Sequence, residues 1–262
     1  MQRLDLLGPF GVGKTTLLKE VNRRNYPRGV LSPSQAIGRI AGDSIEGRSS
    51  MQYHIINNIL KASVDLSGKM RMWPLDTLLR PVSNELLLGG ISKRIVSEEY
   101  NAFSEKVVEL VQASGKDPIM KLRKLSQYYE MIERSAVVDN SALEAYVLFD
   151  ESMPSIILRM ADYCDDWKDL LNVLPLPHTL FQLNIDPDSL AVRRRGRGRY
   201  YDLDQNNSAM AEAVRTQVEN CAIIAYAMRQ RGVNIIKLDM GESLDENSKK
   251  ITEFIESLNY SE

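Results

Sequence analysis

The sequence predicts an α/β fold of three layers, in which helices cover both faces of a parallel five-stranded sheet. An apolar run at 3–7 ends in a glycine-rich loop, after which a helical pattern begins. Further apolar runs at 145–149, 179–185 and 233–238 alternate with helical stretches, and a short strand is expected within 29–31. Strands that alternate with helices are typical of a doubly wound parallel sheet.

The composition is that of a globular protein. The chain has 262 residues, of which 44% are hydrophobic and 26% are charged, and its formal net charge is -2. A disordered chain would be poorer in apolar residues and further from neutrality. A charge so close to zero also argues against a general nucleic-acid-binding protein. We therefore expect a folded protein that is not a general nucleic-acid binder.

Few residues are available for disulfides or a metal site built on histidine. The two cysteines, Cys164 and Cys221, form neither a disulfide framework nor a zinc-binding pair, and there are two histidines. The sequence contains no stretch of 18 uncharged apolar residues, so no transmembrane helix is predicted. The N-terminal residues lack the apolar core of a signal peptide. We expect a cytoplasmic protein that does not enter a membrane.

The segment 45–142 contains no convincing strand and is predicted to be a helical insertion within a single domain, 1–262. Apolar residues recur at helical spacing within it, which predicts helices over 51–64, 98–113 and 119–132.

Helix-end signals predict the remaining helices. One helix is expected over 155–171, and another begins after Asp186, which is suited to cap it. A long helix is expected over 209–231. Ser243 and Glu246 have the spacing of a capping box, which predicts the start of the last helix.

The loop from Gly8 to Thr15 matches the phosphate-binding pattern GxxxxGK[ST] at every fixed position. Glycines let the backbone curl so that successive N–H groups face a phosphate, and the helix that follows points its positive end at the same anion. Lys14 is expected to reach the β- and γ-phosphates of ATP, and the hydroxyl of Thr15 to ligate Mg²⁺. The predicted nucleotide-binding residues are Gly8, Pro9, Phe10, Gly11, Val12, Gly13, Lys14, Thr15 and Thr16.

Two acidic residues, Asp150 and Glu151, follow the apolar strand at 145–149. Ligands bind at the carboxyl ends of parallel strands, where a second acid would serve a phosphate site. Asp150 is predicted to ligate Mg²⁺ together with Thr15, and either acid could take the proton of an attacking hydroxyl. Which of the two is the base stays open at this point.

The segment 193–199 holds five arginines in seven positions. We expect a mobile lid that closes over the triphosphate, since guanidinium groups match phosphate oxygens and glycines loosen the loop. The alternatives are a nucleic-acid-binding patch or a solvated run of charge. Under the lid interpretation Arg195 and Arg197 act in catalysis, while Arg193 and Arg199 bind the nucleotide.

With these features together, the sequence resembles P-loop kinases of the nucleoside monophosphate kinase superfamily, above all the thymidylate kinases and deoxynucleoside kinases. The resemblance covers 1–25 and about 143–258. It implies ATP and Mg²⁺, phosphoryl transfer to a small acceptor, and lid closure. It departs from the family at Asp150-Glu151-Ser152, where thymidylate kinases tend to have Asp-Arg-aromatic and deoxynucleoside kinases Glu-Arg-Ser.

The sequence therefore predicts a kinase that moves the γ-phosphoryl group of ATP to a hydroxyl or phosphate of a small molecule. By the resemblance, the insertion 45–142 lies where the acceptor pocket belongs. The alternative is a P-loop ATPase switch or assembly factor whose helical insertion binds a protein partner. The identity of the acceptor, the choice between ATP and GTP, and a homodimer are left open by the sequence.

Overall fold

The computed structural model describes residues 1–23, 30–45, 97–142, 144–195 and 207–259. The strands are β1 (Gln2–Leu7), β2 (Val30–Leu31), β3 (Tyr146–Phe149), β4 (Thr179–Asn184) and β5 (Asn234–Asp239). The helices described are α1 (Lys14–Arg23), α2 (Pro33–Ile45), α3 (Glu98–Ala113), α4 (Pro118–Asp139), α5 (Met153–Ala161), α6 (Leu170–Val173), α7 (Pro187–Arg195), α8 (Asn207–Gln230) and α9 (Leu244–Asn259). A short 3₁₀ helix, Asp165–Asp169, precedes α6.

The strands form a parallel sheet in the order β2-β3-β1-β4-β5. The expected α/β class with a parallel sheet is confirmed. The expected five-stranded sheet is present in part, because four of its strands have four to six residues. The fifth member, β2, is a pairing of only two residues at the edge, where Val30 and Leu31 lie beside Tyr146 and Val147.

Helices cover both faces of the sheet, as β4 illustrates. Consecutive residues of a strand point to opposite faces. Leu180 belongs to an apolar cluster with residues of α3, α4, α5 and α8, and the next residue, Phe181, to a cluster with residues of α1 and α9. The carboxyl ends of β1 and β3 therefore open at the edge between these two layers.

The helices of the described insertion largely match the prediction. The helix expected over 98–113 is α3, with the same bounds, and the helix expected over 119–132 is α4, which continues to Asp139. The helix expected over 51–64 lies outside the described residues.

The single helix expected over 155–171 is wrong. Helix α5 ends at Ala161, and the N–H groups of Tyr163 and Cys164 both donate to the Met160 carbonyl. Cys164 is extended, and a new 3₁₀ helix begins at Asp165. Two consecutive aspartates in its first turn favour a helix start, because carboxylates interact well with a helix N-terminus.

The predicted caps are confirmed. The Ser189 N–H donates to Asp186 Oδ2 at 2.8 Å at the start of α7. At α9 the capping box is reciprocal, since the Ser243 N–H donates to Glu246 Oε2 and the Glu246 N–H donates to Ser243 Oγ.

A buried arginine on β1 ties the insertion to the sheet. Arg3 is 1% exposed and forms an ion pair with Asp139, the last residue of α4, at 2.8 Å. It also hydrogen-bonds Tyr100 of α3 and donates to the Pro175 carbonyl at 2.7 Å. Tyr100 in turn donates to Asp139. Because a buried guanidinium must be paired, these contacts hold α3 and α4 against β1.

Among the described residues, no helix is long and apolar enough to cross a membrane.

Asp5 predicts a specific pH dependence of stability. Asp5 is fully buried beside Arg3, and burial raises its pKa to about 6, with Arg3 acting in the opposite direction. The folded protein therefore keeps this proton up to higher pH than the unfolded chain, whose carboxyl ionises near 3.8. The stabilising effect of the proton is present at acidic pH and is lost as pH rises through about 6.

Asp5→Asn removes this titration. We expect the free energy of unfolding of the variant to rise relative to the wild type between pH 4.5 and 6, by up to about 1.4 kcal/mol per pH unit. Urea unfolding at a series of pH values measures it. A difference between the two proteins that stays constant with pH would contradict this prediction.

Candidate functional site

The glycine-rich loop between β1 and α1 has a sharply curved backbone. Gly11 and Gly13 have φ angles of +82° and +113°, a region that residues with a Cβ rarely adopt. A Cβ on Gly8 would come within 2.9 Å of Leu183 on β4. The loop therefore needs glycine at these three positions, two for backbone curvature and one for close packing on the sheet.

Lys14 is the first residue of α1 and lies inside the curve of the loop. It is 9% exposed, and its Nζ donates to the carbonyls of Gly8 at 2.7 Å and Pro9 at 3.4 Å. Burial lowers the pKa of Lys14, and neighbouring acidic groups oppose this effect. A positive charge with little water around it attracts an anion more strongly than an exposed charge. The loop thus presents an ammonium group suited to phosphate.

The site brings Thr15 and Asp150 together, although 134 residues separate them in the chain. The Thr15 hydroxyl donates to Asp150 Oδ2 at 2.6 Å, at the edge where α1 begins and β3 ends. Mg²⁺ at nucleotide sites takes oxygen ligands, typically a hydroxyl or carboxylate plus substrate phosphates. A hydroxyl and a carboxylate oxygen at one point beside a phosphate loop fit that donor set. Among the described residues, no group of three or more His, Cys, Asp or Glu side chains is placed to hold a metal ion.

A cavity of about 410 Å³ opens beside this pair. Such a volume is within the range of small-molecule sites. Its lining comes from the start of α1 and α2, one face of α4, the end of β3 and helix α5. The lining residues are Thr15, Pro33, Gln127, Glu130, Met131, Arg134, Phe149, Asp150, Glu151 and Arg159.

The α4 wall of the cavity comes from the predicted insertion. Gln127, Glu130, Met131 and Arg134 follow the i, i+3, i+4, i+7 spacing that places side chains on one helix face. Arg134 and Glu130 pair at 2.5 Å, so this wall carries an ion pair, an amide and one apolar side chain.

Glu151 and Arg159 form the wall nearest the phosphate loop. Arg159 Nη2 donates to Glu151 Oε1 at 2.5 Å. The Arg159 guanidinium also lies 5.5 Å from the centre of the Phe10 ring, and the Lys14 ammonium lies 5.6 Å from the same ring. Both distances suit cation–π contacts. Phe10 therefore links the loop to the cavity.

The arginine run at 193–199 lies partly in a helix and partly outside the described residues. Arg193, Arg194 and Arg195 belong to the last turn of α7, so the run does not begin as a loop as expected. Arg197 and Arg199 lie outside the described residues.

Two of the helical arginines bind protein carbonyls. Arg193 donates to the Met240 carbonyl at 2.8 Å and to the Val12 carbonyl at 3.5 Å. Arg194, which is 4% exposed, donates to the Phe10 carbonyl at 2.8 Å. Arg195 is exposed at the end of the helix. A direct role of these arginines in nucleotide binding stays a prediction.

Sequence reasoning missed two arginines of the cavity, Arg134 and Arg159, and the buried Gln217 that contacts the loop. The spacing of 127, 130, 131 and 134 on α4 was a usable signal for the first. No sequence signal marked Arg159, since its distance to Phe10 depends on how α5 packs.

No protein-family model matches the chain, and no curated protein matches it. Among solved structures, the chain is similar to deoxyadenosine kinase from M. mycoides with the products dCMP and a flexible dCDP bound, at 12% identity, over 97% of this chain and 99% of that chain, with a TM-score of 0.48. A second structure of that kinase, with bound dCTP, covers the same shares at 12% identity and a TM-score of 0.45. At this identity the likeness concerns the fold, and the bound nucleotides belong to that protein.

The Thr15–Asp150 contact predicts how activity depends on magnesium. Thr15→Val removes the hydroxyl but keeps the shape, so we expect half-saturation to need about tenfold or more Mg²⁺, the size of a lost charge-assisted contact. Thr15→Ser keeps the hydroxyl and should retain the wild-type requirement within about threefold. Magnesium titration of ATP turnover measures both. An unchanged requirement in Thr15→Val would remove Thr15 from the metal site.

Proposed function

We propose that this chain is an ATP-dependent phosphotransferase that moves the γ-phosphoryl group of ATP to a hydroxyl or phosphate of a small acceptor, with nucleosides and nucleotides as the favoured class. The observation that carries the proposal is the shared edge of two sites. The phosphate loop and the cavity meet at Thr15, which ends the loop motif, lines the cavity and donates to Asp150, a second lining residue. A donor phosphate and an acceptor would there be neighbours.

The donor side consists of the loop and Lys14. Curled backbone N–H groups and a buried ammonium would stabilise negative charge on the phosphates, which is how phosphoryl transfer is mainly accelerated. Thr15 and Asp150 would hold Mg²⁺, which neutralises charge on the phosphates when it is bound. The exposed Arg195, with Arg197 and Arg199, belongs to the donor side as the proposed lid.

The acceptor side consists of the cavity. Its two ion pairs, Glu130–Arg134 and Glu151–Arg159, and the amide of Gln127 offer hydrogen bonds, while Met131 and Phe149 offer apolar surface. This mixture suits a small molecule that has both a ring and hydroxyl groups. The resemblance to nucleoside and nucleotide kinases favours the same class.

The two strand-end acids have different surroundings, which supports a division of roles. Asp150 accepts the Thr15 hydroxyl, so it belongs with the metal. Glu151 lies on the cavity side and is held in place by Arg159. We assign Glu151 to orient the acceptor hydroxyl and receive its proton, with Arg159 fixing the carboxylate beside the attacking oxygen.

The proposal is tested by ADP release from Mg-ATP with a panel of nucleosides, nucleoside monophosphates, sugars and other hydroxyl metabolites. Lys14→Ala serves as the blank, since it removes the ammonium from the loop. We expect one acceptor class to raise the rate at least about a hundredfold over water alone, a modest part of the acceleration that kinases reach. Glu151→Gln should lower kcat with that acceptor by about a hundredfold or more, the usual contribution of a general base.

Two results would contradict the proposal. One is slow ADP release that no acceptor increases, which would favour an ATPase switch. The other is equal turnover by Lys14→Ala, which would remove the reaction from this loop.

A further inference from the structure

The peptide groups of Phe10, at the tip of the phosphate loop, are bound by side chains from two helices, α7 and α8. The Phe10 carbonyl accepts from Arg194 Nε of α7 at 2.8 Å. The Phe10 N–H donates to Gln217 Oε1 of α8 at 3.4 Å. We propose that Arg194, Gln217 and Asp162 are positioning residues that hold the loop tip in its nucleotide-binding shape. The inference rests on the proposed function, because it concerns how that function's donor site binds nucleotide.

Arg194 packs against the phosphate loop from the interior of the protein. Its side chain is buried at 4% exposure, and a Cβ on Gly11 would lie 3.2 Å from its Cγ. Besides the Phe10 carbonyl, it donates through Nη2 to Gln217 Oε1 at 2.5 Å. A carbonyl engaged by a guanidinium is not free to turn towards a phosphate, where its partial negative charge would repel the ligand. Arg194 thus keeps one face of the loop for N–H groups.

Gln217 has the only amide orientation that these contacts allow. Its Oε1 accepts from both Arg194 and Phe10, so its Nε2 must donate elsewhere. The acceptor is Asp162 Oδ2, at 3.0 Å. Gln217 is 6% exposed, which makes each of these bonds costly to lose.

Asp162 completes the chain of contacts and connects it to the cavity. It caps the C-terminal end of α5, the helix that also carries Arg159. Its carboxylate fixes the amide of Gln217 by accepting one of its protons. Asp162 therefore acts on the loop tip through Gln217 of α8 and Arg194 of α7. It lies at the end of α5, the helix whose Arg159 lines the cavity.

A charge swap tests the orientation directly. Gln217→Glu still accepts from Arg194 and Phe10, but it places a second carboxylate against Asp162. The repulsion should displace the side chain from the loop. In the double variant Gln217→Glu with Asp162→Asn, the amide at position 162 can donate to the carboxylate at position 217, which reverses the wild-type hydrogen bond. The total charge of the pair is the same as in the wild type. A residue that merely filled space would not give this reciprocal rescue.

The readout is the dissociation constant of Mg-ATP, measured by displacement of a fluorescent ATP analogue, together with KM and kcat on the best acceptor. We expect Gln217→Glu to weaken nucleotide binding about tenfold and the double variant to recover to within about threefold of the wild type. The change should appear in KM for ATP more than in KM for the acceptor. Gln230→Glu, at the exposed end of the same helix, is the matched control for added charge.

Arg194→Lys is a second test should Gln217→Glu fail to fold. A lysine keeps the charge but lacks the fork that joins Phe10 and Gln217, so nucleotide binding should again weaken about tenfold. Unchanged binding in Gln217→Glu or in Arg194→Lys, or a double variant as weak as Gln217→Glu alone, would overturn this inference while leaving the proposed function in place. A wild-type chain that binds no nucleotide would overturn both.

Discussion

The guanidinium of Arg3 lies in the interior of the protein, on a central strand, and much of the site depends on how it is paired. A buried charge of this kind is tolerated only when partners surround it. One partner, Asp5, lies on the same strand. The others come from far along the chain: Asp139 at the end of α4, Tyr100 on α3 and the carbonyl of Pro175 before β4. The ion pair to Asp139 fixes the C-terminal end of α4 against β1. That placement brings the face with Gln127 to Arg134 over the strand ends, where it becomes one wall of the cavity.

The donor side is built by a different means. Its shape comes from the backbone of the loop, with positive φ angles at two glycines and a side chain, Lys14, folded back onto the loop carbonyls. These contacts are local in sequence, but the loop is also held by α7 and α8 at Phe10. The Phe10 ring centre itself lies 5.6 Å from the Lys14 ammonium and 5.5 Å from the Arg159 guanidinium. The site therefore has two sides that meet at Thr15 and Asp150, which is the arrangement that the proposed in-line transfer between neighbouring ligands requires.

The parts of the fold and of the site that depend on interactions between residues close in sequence could be predicted, and the parts that depend on tertiary contacts could not. Short local spacings predict the glycine-rich loop between β1 and α1, the strand that ends before Asp150 and the caps at Asp186 and Ser243. The structure places these elements where they were expected. The break after Ala161 was missed, because the segment has no glycine or proline and its stop depends on the packing of α5. The burial of Arg194 was missed for a related reason. A run of arginines suggests solvent or ligand, and only the tertiary fold shows that one of them faces the underside of the loop. Arg159 and Gln217 belong to the same class, since nothing close to them in sequence marks their partners.

The measurement that tests the central claim most directly uses a single ligand that spans both sides: adenosine joined through a chain of phosphates to the hydroxyl of the preferred acceptor. If the loop and the cavity are adjoining halves of one transfer site, this ligand is a competitive inhibitor against ATP and against the acceptor. It also binds more tightly than either substrate alone, because linking two ligands of suitable spacing makes the second contact intramolecular. Competition against ATP alone, with no effect of the attached acceptor on affinity, would contradict the account and separate the cavity from the phosphate loop.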